Sequence, residues 1–112
     1  MTIRRVSDAG IQIGDDLHTS SLALTAESVL GDWGDKPVAA LEPADFDELL
    51  ATEPEILLLG TGQRMEFAPR DVIFAMARRQ VGLEVMDTAA AARTFNVLAG
   101  ERRRVAAALL VR

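Results

Sequence analysis

Two short polar segments each follow an apolar run, and together they hold the side chains best suited to a binding site. Residues 60–64, Gly-Thr-Gly-Gln-Arg, follow the run Ile56–Leu59, and Asp87 and Thr88 follow the run Leu83–Met86. If the two runs are neighbouring parallel strands, both segments emerge at one edge of a sheet, where open α/β sheets place their ligands. Glycine lacks a side chain, so backbone N–H groups there can approach a ligand closely. A pocket at this edge is therefore a hypothesis that the sequence supports.

Two polar residues on the segment after Asp87 complete the candidate set. Arg93 and Asn96 are three residues apart, which places them on one face of a helix that is otherwise rich in alanine. The predicted binding residues are Gly60, Thr61, Gly62, Gln63, Arg64, Asp87, Thr88, Arg93 and Asn96. The structural interpretation, which we favour over a binding site, is that Gly60 and Gly62 form a tight turn and Arg64 pairs with a carboxylate.

The segment at residues 60–64 does not match a phosphate-binding loop. Neither Gly-x-x-x-x-Gly-Lys nor Gly-x-Gly-x-x-Gly occurs in the chain. A carboxylate at Asp87 would also repel an anion at the start of the helix. The pattern therefore indicates a pocket for a small molecule or a peptide rather than a nucleotide site.

The usual parts of hydrolytic, redox and metal catalysis are missing. The chain contains no cysteine, which excludes a thiol nucleophile and a thiolate metal site. The single histidine, His18, follows Asp15 and Asp16, adjacent acids that point in opposite directions and make poor metal ligands together. No serine lies in a Gly-x-Ser-x-Gly context. We expect no catalytic residue, no metal and no cofactor, and we do not expect an enzyme.

The element that positions the residues from Asp87 to Asn96 is a helix that begins at Asp87 or Thr88. Either side chain can accept a hydrogen bond from a free backbone N–H of the first turn. Ala91, Phe95 and Leu98 recur at intervals of four and three residues and give the helix an apolar face.

The remaining pattern predicts short strands in the first half and alternating strands and helices in the second. Helices are predicted from Pro43 to Pro54 and from Pro69 to Arg79, and Gly82 is the expected left-handed residue after the latter. The buried stripe of the helix after Pro69 is predicted to be Val72, Ile73, Met76 and Ala77. The remaining strands are predicted at Ile3–Val6, Ile11–Ile13, Ser20–Leu24 and Val105–Val111. An antiparallel β meander thus precedes a βαβαβ unit, an α/β fold in a single domain over residues 1–112.

Composition and charge restrict the class of protein. With 49% hydrophobic residues, no apolar run of membrane-spanning length and no signal-peptide core, we expect a cytoplasmic protein that does not span a membrane, as a monomer or weak homodimer. The net charge of −5 argues against a nucleic-acid partner. Residues 1–55 hold twelve acids and three bases, whereas residues 56–112 hold five acids and nine arginines. The simplest interpretation is that the two halves attract each other; the alternative is a basic face for a partner protein.

A longer string resembles a known family. The run Ile56–Gly62, then Met86-Asp87-Thr88, Ala91, Arg93–Leu98 and the stretch from Glu101 to Leu110 resemble the adipogenesis-associated Mth domain family. That family includes uncharacterised bacterial proteins and the mitochondrial assembly factor for respiratory complex I. The resemblance implies a compact three-layer domain with a mixed central sheet. Members often carry cysteine where this chain has Ala92, so no thiol role is carried over.

Two functional hypotheses follow. The resemblance implies a non-enzymatic interaction or assembly module, whose partner is an unidentified protein such as a membrane complex or its assembly intermediates. We expect its contact surface around Gln63, Arg64, Arg93 and Asn96. The alternative is a protein or enzyme that binds a small molecule at the edge formed by residues 60–64 and 87–88.

Overall fold

The computed structural model describes residues 1–112 as two β-sheets with three α-helices. The strands are β1 (Ile3–Ser7), β2 (Gly10–Ile13), β3 (Asp16–His18), β4 (Leu22–Thr25), β5 (Val29–Asp32), β6 (Ile56–Gly60), β7 (Gly82–Met86) and β8 (Val105–Leu109). The helices are α1 (Asp47–Leu50), α2 (Arg70–Arg78) and α3 (Thr88–Gly100), with short 3-10 helices at Val38–Ala40 and Pro43–Phe46. None of these helices has both the length and the apolar character that crossing a membrane requires.

The larger sheet is mixed and has five strands in the order β5-β4-β8-β6-β7. β6 runs parallel to both β7 and β8, whereas β4 runs antiparallel to β8 and to β5. The smaller sheet is the antiparallel meander β1-β2-β3. The prediction of a mixed central sheet with an N-terminal meander and a C-terminal βαβαβ unit is confirmed.

The two faces of the larger sheet are covered differently, which gives the three layers. On one face, Leu58 of β6 belongs to a core that also contains Phe95 of α3 and Ile11 of β2. On the other face, Leu57 packs in a core with Met76 of α2. The continuous apolar run in β6 therefore has a physical cause, because its side chains enter a core on both sides of the sheet.

The buried side of α2 differs from the prediction. Val72 and Met76 are buried, but Ile73 is 44% exposed and Ala77 is also exposed, so the prediction was wrong for these two residues. α2 contacts β7, which is the edge strand of the sheet, and the 3-10 helix at Pro43–Phe46. No element lies beyond that edge, so only one row of the helix is covered.

Two other local predictions were wrong. The segment after Pro43 is a 3-10 helix followed by the four-residue α1, rather than one helix that continues to Pro54. The left-handed residue after α2 is Gln80, with φ of 59°, whereas Gly82 is the first residue of β7. A non-glycine residue can occupy this conformation at a cost, so the position of glycine indicated the wrong left-handed residue, although α2 ends within one residue of the predicted Arg79.

A single ion pair joins the two halves of the chain. Arg103 Nε lies 3.0 Å from Glu55 Oε1. The other two ion pairs, from Lys36 to Glu42 and to Asp45, lie within the acidic first half. Most arginines of the second half are therefore not used to hold the halves together.

Candidate functional site

The ends of β6 and β7 meet, as their parallel arrangement predicts. The two strands pair in register from Ile56 opposite Gly82 to Gly60 opposite Met86, so both end at the same edge. The residues that follow, Gly60–Gly62 and Asp87–Thr88, are here called the strand-end junction. Thr61 N donates to Met86 O over 2.9 Å, and Thr88 N donates to Gly62 O over 2.8 Å. These backbone bonds join the two segments directly.

Thr88 is the central side chain of the junction. It is 2% exposed, and its hydroxyl donates to Leu110 O over 2.7 Å while accepting from Gly62 N over 2.8 Å. The residue thus connects the ends of three parallel strands, β6, β7 and β8. A buried hydroxyl with both partners supplied by the fold stabilises the structure and is not free to bind a ligand.

The glycines of the junction allow other parts of the protein, rather than a ligand, to pack closely against the backbone. A Cβ on Gly60 would lie 2.9 Å from Thr88 Cα, closer than real Cβ contacts allow. Gly62 has φ of 102°, a conformation that side chains rarely adopt, and a Cβ there would lie 3.1 Å from Arg112 Cβ. What approaches these backbone atoms closely is therefore the protein itself.

Thr61 and Asp87 also use their side chains within the fold. The Thr61 hydroxyl lies 2.5 Å from Arg64 O and accepts from Glu66 N over 3.1 Å, so it shapes the loop after β6. Asp87 is the N-cap of α3, and its carboxylate accepts from Ala90 N over 2.8 Å. Of the two predicted caps, the structure uses Asp87, in the way that aspartate commonly starts a helix.

A pocket of about 250 Å³ lies beside the junction, between it and the smaller sheet. Its deeper wall includes the buried residues Ile11 and Leu110. Gln63 Nε2 donates to Asp8 Oδ1 over 3.1 Å and so joins the loop after β6 to the turn after β1. Among the predicted binding residues, those that line this pocket are Gly62, Gln63, Asp87 and Thr88. The pocket can therefore offer amide and carboxylate groups to a polar ligand.

The other predicted residues do not join this pocket. Gly60 and Thr61 are buried beneath it, and Arg64 is exposed and forms no ion pair, so the predicted pairing of Arg64 with a carboxylate was wrong. Arg93 and Asn96 lie along α3 opposite β1, where they line a separate hollow of about 200 Å³. The predicted set is thus divided between the junction, the loop after it and the outer side of α3.

Asn96 holds the first strand in place. Its Oδ1 accepts from Ile3 N over 2.9 Å, and its Nδ2 donates to Ile3 O over 2.8 Å. The amide therefore pairs with the free edge of β1 as a neighbouring strand would. Asn96 attaches the smaller sheet to α3, and its side chain is occupied by that contact.

Sequence reasoning missed an exposed apolar surface around α2. Phe67 is 84% exposed, Phe74 is 51% exposed, and Met65 and Ile73 are exposed to a similar degree as Phe74. The signal was present in the sequence, because α2 contains more apolar residues than one buried row can hold. Large exposed apolar side chains grouped in one segment mark interaction sites more often than scattered ones do.

Comparisons with known proteins agree with the fold and extend over most of the chain. A family described as "Protein of unknown function (DUF498/DUF598)" matches residues 3–110. The protein of Xenopus tropicalis named NADH dehydrogenase [ubiquinone] 1 alpha subcomplex assembly factor 3 is 36% identical over 98% of this chain. The chain spans only 61% of that protein's length. The 13 kDa major membrane protein of Francisella tularensis is 31% identical, over 89% of this chain and 80% of that protein.

Solved structures give the same result. An NMR structure of a Xanthomonas campestris protein superposes with a TM-score of 0.89 at 39% identity, over 98% of this chain and 83% of that one. A Bordetella pertussis protein described as a Mth938-like domain has a TM-score of 0.82 at 28% identity, over 97% of this chain and 84% of that one. The resemblance stated from the sequence is confirmed: the chain belongs to the DUF498/DUF598 family and has the Mth938-like fold.

Proposed function

We propose that the protein is an assembly-factor-like interaction module that binds a partner protein without catalysing a reaction. The observation that supports this most directly is that side chains of the strand-end junction already have hydrogen-bond partners within the fold. Thr61, Thr88 and Asp87 are the side chains there that are best suited to chemistry, and each is used by the fold through hydrogen bonds. The likeness to an assembly factor over nearly the whole chain supports the same role.

The proposed partner is a protein, such as a membrane complex or one of its assembly intermediates, bound in the cytoplasm by a monomer or weak homodimer. Nucleic acid is not the proposed partner, because affinity for nucleic acid rests on neutralising phosphates and the chain as a whole has a net charge of −5. Among the candidate residues, Arg64 and Arg93 have exposed side chains and no ion pair within the protein. Both can therefore contribute to an interface.

Native affinity purification of the tagged protein tests this function. Wild type should recover a specific partner, and the double variant Arg64→Glu, Arg93→Glu should lose it. The two single variants then show which side of the molecule carries the contact. Arg102→Glu changes an exposed arginine outside the candidate set and should retain the partner. Repeated purifications that recover no partner would contradict the proposal.

A second candidate function is supported by the pocket beside the junction. Its volume of about 250 Å³ is close to the lower end of ligand sites, and Asp8, Gln63 and Asp87 lie around it. A thermal-shift screen against metabolites tests this alternative. A compound that raises the melting temperature of wild type but not of Gln63→Ala would favour ligand binding, whereas a screen without such compounds would favour the interaction module.

A further inference from the structure

The segment from Arg64 to Arg79 presents an unusual set of side chains to solvent. Phe67 and Phe74 are half of the four phenylalanines in the chain, and both are exposed, at 84% and 51%. The other two, Phe46 and Phe95, are fully buried. Since an exposed aromatic ring forfeits the free energy of apolar burial, two such rings in one segment favour a partner that covers them.

The helix geometry places these rings in a defined row. Arg70, Phe74 and Arg78 are spaced four residues apart, so they follow one another along the outer side of α2. Ile73 lies beside Phe74 on the same side and is 44% exposed. Met65 and Phe67 belong to the loop that leads into the helix. We call this set, Met65, Phe67, Ile73 and Phe74, the outer α2 face.

The charge around this face is positive, and its arginines form no ion pair within the protein. Residues 64–79 carry four arginines and two acids, whereas the whole chain has a net charge of −5. None of the ion pairs in the structure involves Arg64, Arg70 or Arg78. These guanidinium groups are therefore available to carboxylates from outside the protein, in geometries that allow two parallel hydrogen bonds.

The residue types favour a protein over the other possible occupants. Aromatic residues, methionine and arginine are the types enriched in protein interfaces, whereas lysine is depleted, and the chain's only lysine, Lys36, lies elsewhere. A second copy docked symmetrically through the same face would place like-charged arginine rows against each other. A symmetric dimer through this face is therefore disfavoured, and charge complementarity favours a partner that carries acidic residues.

We propose that the outer α2 face is the docking surface for a partner protein with an apolar groove bordered by aspartate and glutamate. α2 enters this groove in the manner of an amphipathic helix, with Ile73 and Phe74 as its apolar anchors and Phe67 filling an adjoining pocket. Arg70 and Arg78 contact the acidic margins. This inference rests on the proposed function and specifies its interface.

Site-specific photo-crosslinking in cells tests the surface. The photoreactive analogue p-benzoylphenylalanine replaces Phe67 or Phe74 with little change in shape, and Leu17, which is 48% exposed on β3, receives it as the matched control. We expect one protein adduct from positions 67 and 74 and none from position 17. Mass spectrometry should place the crosslinked partner residue in an apolar groove beside Asp or Glu.

Charge reversal tests the contribution of Arg70 and Arg78 to the docking surface. Arg70→Glu with Arg78→Glu should reduce the adduct yield from position 74 at least tenfold, whereas Arg102→Glu should leave it unchanged. Both variants alter exposed residues, and equal melting temperatures would show that the fold is intact.

The remaining outcomes distinguish a wrong docking surface from a wrong proposed function. Adducts only from an analogue placed at Arg93 would overturn the docking surface but retain an interaction module. Adducts from no position would overturn both. Adducts to lipid, or to a second copy of the chain, would overturn the proposal that the occupant is a different protein.

Discussion

At the scale of single residues, the contact between Gly60 and Thr88 decides how closely β6 approaches the start of α3. A methyl group on Gly60 would lie 2.9 Å from Thr88 Cα and 3.0 Å from its hydroxyl oxygen. The first neighbour is backbone and cannot move without displacing the helix. Glycine at this position is therefore required by the junction itself, independently of any ligand.

We expect Gly60→Ala to lower the free energy of unfolding by about 1–3 kcal/mol, the usual cost of forcing an extra carbon into a packed site. Gly100→Ala is the matched control, because a Cβ there meets no atom within 4 Å and the residue is helical. The control should be neutral or slightly stabilising. Urea denaturation measures both, and equal stability of Gly60→Ala and wild type would contradict the packing argument.

At the scale of elements, the attachment of β1 to α3 depends on the Asn96 side chain. Two hydrogen bonds of 2.9 and 2.8 Å join it to Ile3. Asn96→Ala should destabilise the protein by about 1–2 kcal/mol, because both backbone groups of Ile3 lose their partner. Asn96→Asp retains the acceptor but places a carboxylate oxygen against Ile3 O, so it should destabilise the protein at least as much as Asn96→Ala.

Hydrogen exchange measures which part of the structure Asn96→Ala destabilises. In Asn96→Ala the amide of Ile3 should exchange faster, whereas amides of β6 should keep the protection of the global unfolding reaction. Unchanged protection of Ile3 would show that other contacts hold the strand.

The elements also show which features can be predicted from sequence. The run Ile56–Leu59 and the cap at Asp87 are local signals, and they placed β6 and the start of α3 correctly. The pairing of Asn96 with Ile3 joins residues 93 positions apart and leaves no local pattern. Within α2, apolar residues occupy too many positions for periodicity to identify the buried row. Which row of α2 is buried depends on the position of β7 at the edge of the sheet.

The candidate site was predictable in part for the same reason. Parallel strands fixed where the two polar segments would meet, and that geometry follows from short-range patterns. Whether Thr61, Thr88 and Asp87 would be used by the fold depended on partners elsewhere in the chain, such as Leu110 O. The binding role of the predicted residues remains a prediction.

At the scale of the whole molecule, Glu55 is the acid that joins the two halves of the chain. Its Oε1 accepts from Arg103 Nε over 3.0 Å and from the backbone N–H of Arg104 over 3.1 Å. The hydrogen bond from Arg103, followed by that from Arg104, lowers the pKa of the Glu55 carboxyl from its ordinary value. The native state therefore favours the ionised form.

This shift makes stability depend on pH in one direction. The folded pKa of Glu55 lies below the unfolded value of about 4.3. The contribution of its ionised carboxylate to the free energy of unfolding is therefore present above that pH and is lost as the pH falls through the folded pKa. Glu55→Gln should be less stable than wild type at pH 7, and the difference should close in acid. Denaturation at pH 7, 5 and 3 measures this. Glu48→Gln, an exposed glutamate without an ion pair, should not show a closing difference.

The strand order has a consequence for how the molecule is made. β8 is the last strand of the chain, yet it lies in the middle of the larger sheet, between β4 and β6. During synthesis, the early strands must wait with a gap between them until β8 has left the exit tunnel of the ribosome. Both apolar cores contain residues of β8, so neither core can close before this strand is available.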